Sequence, residues 1–348
     1  MESAHGVDSD RVPGVLVGID GSPDSKRALR VGIKAAKHRG VPLQLVAAYI
    51  RPLVMDSYYL SMIDQYLRSM QAETQKMLDG YAEYASESGI EVTTRAVEGD
   101  PAAVLIEASR SAEVAVVGKR GRNRFSGRVL GSVSRKLTAH AHCPVVVIPA
   151  KWESEATDEL LAPAQDLPKG DDAASEPLTQ VEESAPRGHT RREFSNVAQD
   201  HNFDSEIVVG IDIGRDNEEL ASLAAEAAQT LQRPLTLVAA EPLHAEGGWY
   251  PNTVEHNLEL PNIRRPYTEY LTKAAQQVTE RHPGISVRWQ FFDGSPAGVL
   301  SEASRTAELI VIGTRGHGGF AGLLLGSVSQ AVLNRAVCPV LVVPAQKS

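Results

Sequence analysis

Residues 98–118 read EGDPAAVLIEASRSAEVAVVG, and residues 293–313 read DGSPAGVLSEASRTAELIVIG. Aligned without a gap, 13 of these 21 positions are identical. The match continues to CPVVVIP in the first copy and CPVLVVP in the second. The two copies also begin alike, with VLVGIDGS from Val15 and IVVGIDIG from Ile207. The chain therefore contains one domain twice.

The segment between the copies has a different composition. Residues 151–203 carry 12 Asp and Glu against five Lys and Arg, a balance of −7 in a chain whose net charge is −9. A segment rich in Glu, Asp, Pro, Ser and Ala buries too little apolar surface to fold alone. We predict a flexible N-terminus at 1–11, a domain at 12–150, an acidic disordered linker at 151–203 and a second domain at 204–345.

The composition excludes several classes of protein. Hydrophobic residues are 42% and charged residues 23%, as in soluble globular proteins. No apolar run approaches the roughly 20 residues of a membrane span, and the polar N-terminus is unlike a signal peptide. Two cysteines cannot form a disulfide framework, so we expect a cytoplasmic protein. Without a concentrated basic patch, we expect neither nucleic acid nor membrane as a partner.

Short apolar strands alternate with helical patterns in each copy. The predicted strands are 15–20, 43–49, 114–117 and 145–148 in the first copy, and 207–212, 235–241, 309–312 and 340–343 in the second. The predicted helices lie near 61–88, 220–231 and 265–282, and after the N-cap pairs Asp100-Pro101 and Ser295-Pro296. This alternation predicts an α/β protein with two doubly wound five-stranded parallel sheets, strand order 3-2-1-4-5 and helices on both faces. Ligands of such sheets bind where strands one and four end.

A glycine motif follows the fourth strand of each copy. The first copy has Gly118, Gly121 and Gly131-Ser132, and the spacing G-x2-G-x9-G-S recurs from Gly313. Glycines let backbone N–H groups approach a ligand closely, and the helix that begins after Gly131 offers unpaired N–H groups to a phosphate. The alternative to a binding site is a purely structural tight loop that leads into a helix. The recurrence of the same spacing in both copies favours nucleotide binding.

An Asp that ends strand one, G-x2-G-x9-G-S after strand four and a closing CPV strand together resemble the universal stress protein family. The resemblance covers both domains, and the duplication is similar to that of actinobacterial tandem members. It implies an adenine-nucleotide alpha-hydrolase-like fold that binds ATP, with Mg²⁺ as a candidate companion of the phosphates. In ATP-binding members the Asp holds the adenosine part and the glycine motif wraps the phosphates.

The resemblance implies two sets of nucleotide-binding residues, with Ala48 and Ala240 at the position of the adenine contact. The first set is Gly18, Asp20, Ala48, Gly118, Arg120, Gly121, Arg122, Gly131, Ser132 and Val133. The second set is Gly210, Asp212, Ala240, Gly313, Arg315, Gly316, His317, Gly326, Ser327 and Val328.

The two predicted sites are not equivalent. The first glycine motif is strongly basic, with Lys119, Arg120, Arg122, Arg124 and Arg128. Ile213 of the second copy stands where the first has Gly21, near the expected ribose. An alternative role for each strand-one Asp is to cap the following helix; its position at the switch point favours the ligand role.

A metal site is not expected. His140, His142 and Cys143 are close in sequence, but the second copy repeats only the cysteine, as Cys338, with Val337 before it. So small a number of candidate ligands rarely completes a tetrahedral metal site. The two cysteines fit better as small buried residues that lead into the fifth strand.

The leading hypothesis is a regulatory ATP-binding protein with no catalytic residues. The family resemblance implies pairing through strand five, either within one chain as a pseudo-dimer or between chains as a homo-oligomer, and leaves the regulatory partner open. One alternative is a slow ATPase, or an enzyme that phosphorylates itself on Ser132 or Ser327. Another is an interaction scaffold without nucleotide. Neither an H-x-G-H nor an S-G-G-x-D-S string is present, which disfavours an enzyme.

Overall fold

The computed structural model describes residues 13–52, 57–121, 129–150, 152, 202–243, 254–314 and 325–345. The strands of the first domain are β1 (Gly14–Gly18), β2 (Leu43–Tyr49), β3 (Val92–Glu98), β4 (Ala112–Gly118) and β5 (Val145–Ile148). Its helices are α1 (Pro23–Arg39), α2 (Ser57–Ser86), α3 (Pro101–Ala108) and α4 (Ser132–His140), with a 3-10 turn at Ser109–Ser111.

The second domain repeats this order of elements. Its strands are β6 (Ile207–Gly210), β7 (Leu235–Glu241), β8 (Val287–Asp293), β9 (Leu309–Gly313) and β10 (Val340–Val343). Its helices are α5 (Glu218–Leu231), α6 (Val254–Arg281), α7 (Pro296–Ala303) and α8 (Ser327–Arg335). The backbone of α6 continues through Pro261 and Pro266, which interrupt the helical pattern in the sequence, so α6 begins before the predicted residue 265.

The ten strands form one sheet in the order β3-β2-β1-β4-β5-β10-β9-β6-β7-β8. Pairing within each domain is parallel, which confirms the predicted order 3-2-1-4-5 in both copies. The two five-stranded sheets are joined because β5 and β10 pair in antiparallel fashion, with Val146 opposite Leu341. Both fifth strands thus have neighbours on either side, and a homo-oligomer through strand five would first have to separate them.

Helices cover both faces of the sheet, as predicted. On one face, Leu105 of α3, Leu137 of α4, Leu300 of α7 and Val332 of α8 belong to one continuous apolar cluster. This cluster is shared by the two domains. On the other face, α1 and α2 pack on the first domain, and α5 and α6 pack on the second.

Two aromatic residues near the ends of the predicted linker pack against the core. Trp152 contacts the apolar cluster of the first domain, and Phe203 is fully buried in the second. The Phe203 amide donates to Thr306 Oγ1 at 2.9 Å, and its ring lies edge-on to Phe292. Residues 153–201 and the predicted N-terminal segment 1–11 lie outside the described residues. In the described helices, no segment is long and apolar enough to cross a membrane.

The two cysteines are structural residues, as expected from the sequence. Cys143 and Cys338 are 4% and 3% exposed, each just before a fifth strand. Burial raises the pKa of the Cys143 thiol to about 12. Because the thiolate is the nucleophile, a buried thiol of this kind is inert at neutral pH.

We therefore predict that iodoacetamide at pH 8 leaves the folded protein unlabelled. At that pH only about one Cys143 in ten thousand carries the reactive thiolate, since its pKa lies about four units higher. Mass spectrometry should find no label before unfolding in guanidinium chloride and two afterwards, one for each cysteine. Labelling of the folded protein within minutes would contradict this account of the two thiols.

Candidate functional site

The candidate site of the first domain lies where β1 and β4 end side by side. Gly18 and Gly118 are the last residues of these neighbouring strands. Asp20 follows β1, partly exposed, and its Oδ1 accepts a hydrogen bond of 3.0 Å from the Ser22 amide. The carboxylate is thereby held at the switch point of the sheet, where ligands of parallel α/β proteins bind.

Gly121 lies directly against this carboxylate. A Cβ atom added to Gly121 would be 2.5 Å from Asp20 Oδ2, closer than any side chain tolerates. The structure therefore brings together two predicted site residues that are far apart in sequence. It also gives the reason for the glycine, because any other residue would push Asp20 from its place.

Asp24, in the first turn of α1, supports the other end of the glycine motif. A Cβ atom on Gly118 would lie 2.6 Å from Asp24 Cβ and 2.7 Å from its carbonyl carbon. Asp24 Oδ2 accepts from the Arg120 amide at 3.2 Å, and Oδ1 pairs with Arg27 at 3.0 Å. Sequence reasoning missed Asp24, although Ser22-Pro23 is the same N-cap signal that located the third helices.

The chain returns to the glycine motif at the start of α4. The Gly131 amide donates to the Lys119 carbonyl at 2.9 Å, and Ser134 Oγ donates to the Gly118 carbonyl at 2.7 Å. Ser134 was also missed from the sequence. The signal for it is the string GSVS, which occurs in both copies.

In the second domain the chain returns to its glycine motif in the same way, at the start of α8. The Gly326 amide donates to the Thr314 carbonyl at 2.6 Å, and Ser329 Oγ donates to the Gly313 carbonyl at 2.6 Å. Ser329 is the counterpart of Ser134. The two glycine motifs are therefore closed by equivalent bonds, one from a backbone amide and one from a buried serine.

Helices α4 and α8 begin directly at these returns. Gly131 and Gly326 are the N-cap residues, and neither helix start receives a hydrogen bond from the side chain of its cap. Ser132 and Ser327, the first helical residues, are exposed. The first-turn N–H groups, which lie at the positive end of the helix dipole, can therefore bind an anion beside each glycine motif.

Several predicted residues have a packing role in the structure. Added Cβ atoms on Gly18 and Gly210 would lie 2.8 Å from Leu105 Cδ1 and Leu300 Cδ1 respectively, so both glycines let a helix approach the sheet. Four other predicted residues, two valines and two alanines, are only partly buried. Val133 and Val328 pack against the shared apolar cluster, and Ala48 and Ala240 lie on β2 and β7 beyond the pairing partners of Gly18 and Gly210.

The strand-one carboxylate of the second domain has different neighbours. Asp212 Oδ1 accepts from the Gly214 amide at 3.3 Å, and Oδ2 pairs with Arg215 Nε at 3.8 Å. Asn217 is buried and holds this turn, because its Nδ2 donates to the carbonyls of Asp212 and Arg215 at 2.7 and 3.0 Å and to Tyr270 Oη at 2.9 Å.

Three consecutive residues differ between the two turns: Gly21, Ser22 and Pro23 in the first domain, and Ile213, Gly214 and Arg215 in the second. Gly21 has a φ of +80°, a conformation that a β-branched residue avoids, and Ile213 at the same position is not in it. Helix α1 begins at Pro23, five residues after β1, whereas α5 begins at Glu218, eight residues after β6. Asp216, the counterpart of Asp24, is exposed and accepts from the Glu218 amide at 2.9 Å.

A small cavity opens next to this turn, between α5 and α6. Its volume is about 80 Å³, and it is lined by Asn217, Tyr270, Arg281 and His282 among others. Ser222 Oγ and His282 Nε2 are 3.0 Å apart at this cavity. None of the predicted residues of the second site lines it.

Four predicted site residues lie outside the described residues: Arg122, Arg315, Gly316 and His317. The same holds for Arg124 and Arg128 of the basic loop. Within the described part of the chain, no group of three or more His, Cys, Asp or Glu side chains is placed to hold a metal ion.

Known proteins are similar to this chain in sequence and in architecture. The model of the "Universal stress protein family" matches residues 14–149 and 204–344. A universal stress protein of Mycobacterium tuberculosis is 30% identical over 339 residues, covering 94% of this chain and 95% of that protein. One of Mycobacterium bovis is 28% identical over 353 residues, covering 94% of each. The crystal structure of a universal stress protein from Archaeoglobus fulgidus matches with a TM-score of 0.60 at 19% identity, covering 95% of this chain and 98% of that one.

The contact between Gly118 and α1 predicts a large cost for a single methyl group. In Gly118→Ala the new Cβ would meet backbone atoms of Asp24 at 2.7 to 2.8 Å, so α1 or β4 must shift. We expect a loss of about 1–3 kcal/mol in the free energy of unfolding, the usual cost of overpacking, measured by urea denaturation.

Gly298→Ala is the matched control, because a Cβ there meets nothing closer than 3.8 Å and Gly298 lies within α7. This substitution should leave stability unchanged or raise it by about 0.5–1 kcal/mol. Equal effects of the two substitutions would show that the contact with Asp24 is not tight.

Proposed function

Since the chain belongs to the universal stress protein family, we propose that it is a cytoplasmic regulatory protein that binds ATP at two sites, more tightly at the first. Nucleotide occupancy would order each glycine motif, and a protein partner would recognise the ordered state. Both cysteines are buried thiols that form no disulfide, which agrees with a reducing compartment.

One observation carries the proposal: the glycine motif of the first domain converges on Asp20 at the switch point of the sheet. Gly121 lies against the Asp20 carboxylate, and the chain then returns through Gly131 to the start of α4. A carboxylate next to backbone amides and a helix N-terminus offers complementary partners to a nucleotide. The carboxylate can accept from ribose hydroxyls, and the amides can donate to phosphates.

The roles of the first-site residues follow from this arrangement. Asp20 would hold the ribose, and Ala48 on the adjacent strand would lie under the base. The backbone from Gly118 to Gly121 and the first turn of α4 at Ser132 would bind the phosphates. Mg²⁺ bound together with the phosphates would lower the charge repulsion between them.

The second site is proposed to bind the same ligand more weakly. Arg215 pairs with Asp212, and a ribose would have to compete with that guanidinium for the carboxylate. Asp216 is turned to solvent and does not take the supporting position of Asp24. The return through Gly326 and the start of α8 are nevertheless as in the first domain, which supports phosphate binding there.

An enzymatic function is the rival hypothesis. Two charged side chains at the first glycine motif already have structural partners: Asp24 binds Arg27 and the Arg120 amide, and Lys119 Nζ donates to carbonyl groups. A third, Asp20, is assigned to the ribose in this proposal. A general base would need a carboxylate or imidazole that is available to a water molecule next to the phosphates. We therefore favour binding over turnover, with slow autophosphorylation of the exposed Ser132 or Ser327 as the enzymatic alternative.

The proposal predicts two classes of nucleotide site in one chain. Titration of nucleotide-free protein with ATP and Mg²⁺ should show a tighter and a weaker site. Gly131→Glu should abolish the tighter one, because a carboxylate at the N-terminus of α4 would repel the phosphates and occupy their space. Isothermal titration calorimetry, scaled to protein concentration, measures both the number of sites and their affinities.

The matched variant is Gly326→Glu, which makes the same change at α8 and should abolish the weaker class only. If neither variant changes ATP binding, the glycine motifs are not the phosphate sites. If the unmodified chain binds no ATP at all, the scaffold alternative is correct.

A second prediction separates binding from catalysis. The saturated protein should hydrolyse ATP more slowly than about 1 per second, the lower end of ordinary enzyme rates. Release of inorganic phosphate, followed with ATP in excess over the protein, measures this rate. A faster rate that disappears in Gly131→Glu would favour the ATPase.

A further inference from the structure

The first glycine motif is attached to the second domain through a buried lysine. Lys119, between Gly118 and Arg120, is only 6% exposed. Its Nζ donates to the carbonyl of Asn334 at 2.8 Å and to that of Ala336 at 3.3 Å. Asn334 lies in the last turn of α8, and Ala336 is the C-cap of that helix. A side chain of the first candidate site thus ends in the other domain.

A second bond joins the far end of the same motif to the same residue. The amide of Leu130, just before Gly131, donates to Asn334 Oδ1 at 2.9 Å. Leu130 itself is 5% exposed and packs in the apolar cluster that the two domains share. Asn334 therefore contacts both sides of the glycine motif, through its carbonyl at Lys119 and through its side chain at Leu130.

The end of α8 is a physically suitable anchor for this lysine. The last carbonyl groups of a helix lack partners within the helix and carry the negative end of its dipole. An ammonium group that donates to them offsets part of the cost of its own burial. The Asn334 side chain adds an acceptor whose position is fixed by the same helix turn.

Among the described residues of the second domain, the reciprocal contacts are not made. Thr314 stands at the position of Lys119, and its Oγ1 accepts from the Ala345 amide at 3.0 Å within its own domain. Ala139 of α4 stands at the position of Asn334 and has no side-chain acceptor for the amide of Leu325. The attachment is therefore specific to the first site.

We propose that Asn334 is a positioning residue, through which the second domain holds the first glycine motif in the shape that binds phosphate. This inference rests on the proposed function for its ligand. Its physical content is independent of the ligand, because Asn334 fixes the backbone at Leu130 and Lys119 whether or not nucleotide is present. The first site is then a property of the two-domain chain.

The test compares Asn334→Leu, which keeps the size of the side chain and removes its acceptor, with Asn334→Asp, which keeps the acceptor. Both are made in full-length Gly326→Glu protein, so that only the first site is measured. Asn334→Leu should raise the Kd for ATP about fivefold, the factor expected for loss of one hydrogen bond. Asn334→Asp should restore the Kd to within about twofold.

Gln330→Leu is the matched control, since it makes the same type of change at an exposed position of the same helix and should not alter the Kd. A merely structural effect of leucine on α8 would act in both leucine variants and would not be reversed by aspartate. Equal Kd values for Asn334→Leu and its parent would overturn the proposal.

A second readout uses no nucleotide. Hydrogen exchange of the Leu130 amide, followed by NMR in nucleotide-free protein, should become at least about fivefold faster in Asn334→Leu and return toward the parent rate in Asn334→Asp. Unchanged exchange would overturn the positioning role even if ATP binds. If the parent binds no ATP but exchange responds as expected, the proposed function fails while the attachment of the glycine motif to α8 stands.

Discussion

The antiparallel pairing of β5 with β10 is the interaction on which the arrangement of the protein depends. It converts two five-stranded sheets into one sheet of ten, and the domains then share a single apolar cluster on the face that carries α3, α4, α7 and α8. The exposed edges that strand five would present in a single domain are removed, and with them a template for uncontrolled association. The same pairing brings the end of α8 beside the first glycine motif, so residues of the second domain also border the first candidate site.

A second constraint is the lack of space between the strand ends and the first turn of α1. Gly118 and Gly121 are needed because Asp24 and Asp20 occupy the positions that their side chains would take. Two carboxylates, two glycines and the start of α4 thus depend on one another for their positions. In this arrangement the proposed ligand-binding motif is also a packing motif, so substitutions there are expected to act on stability as well as on binding.

The two copies show how a few residues change a turn without changing the fold. Ile213 in place of a glycine excludes the left-handed turn that Gly21 makes, and α5 begins three residues later relative to its strand than α1 does. Asp212 acquires Arg215 as a partner, and Asp216 moves into solvent. Core positions are unaffected because the strands and the apolar faces of the helices keep their pattern. This difference between the duplicated domains lies in the turn after strand one, next to the candidate site.

The sequence by itself determined the duplication, the strand order and the positions of the glycine motifs, because repeats, alternating apolar runs and glycine spacing are local signals. It also indicated that Ile213 distinguishes the second site. It did not indicate the contacts of Asp24, Ser134 or Asn334, which join residues that are remote along the chain. Gly18 and Gly210 are predicted ligand contacts, and the structure adds a packing role for both, against Leu105 and Leu300. Only the tertiary structure decided these points. The same type of residue in a turn can face a ligand, a helix or another domain. Which of these it faces depends on the elements that the sheet brings next to it.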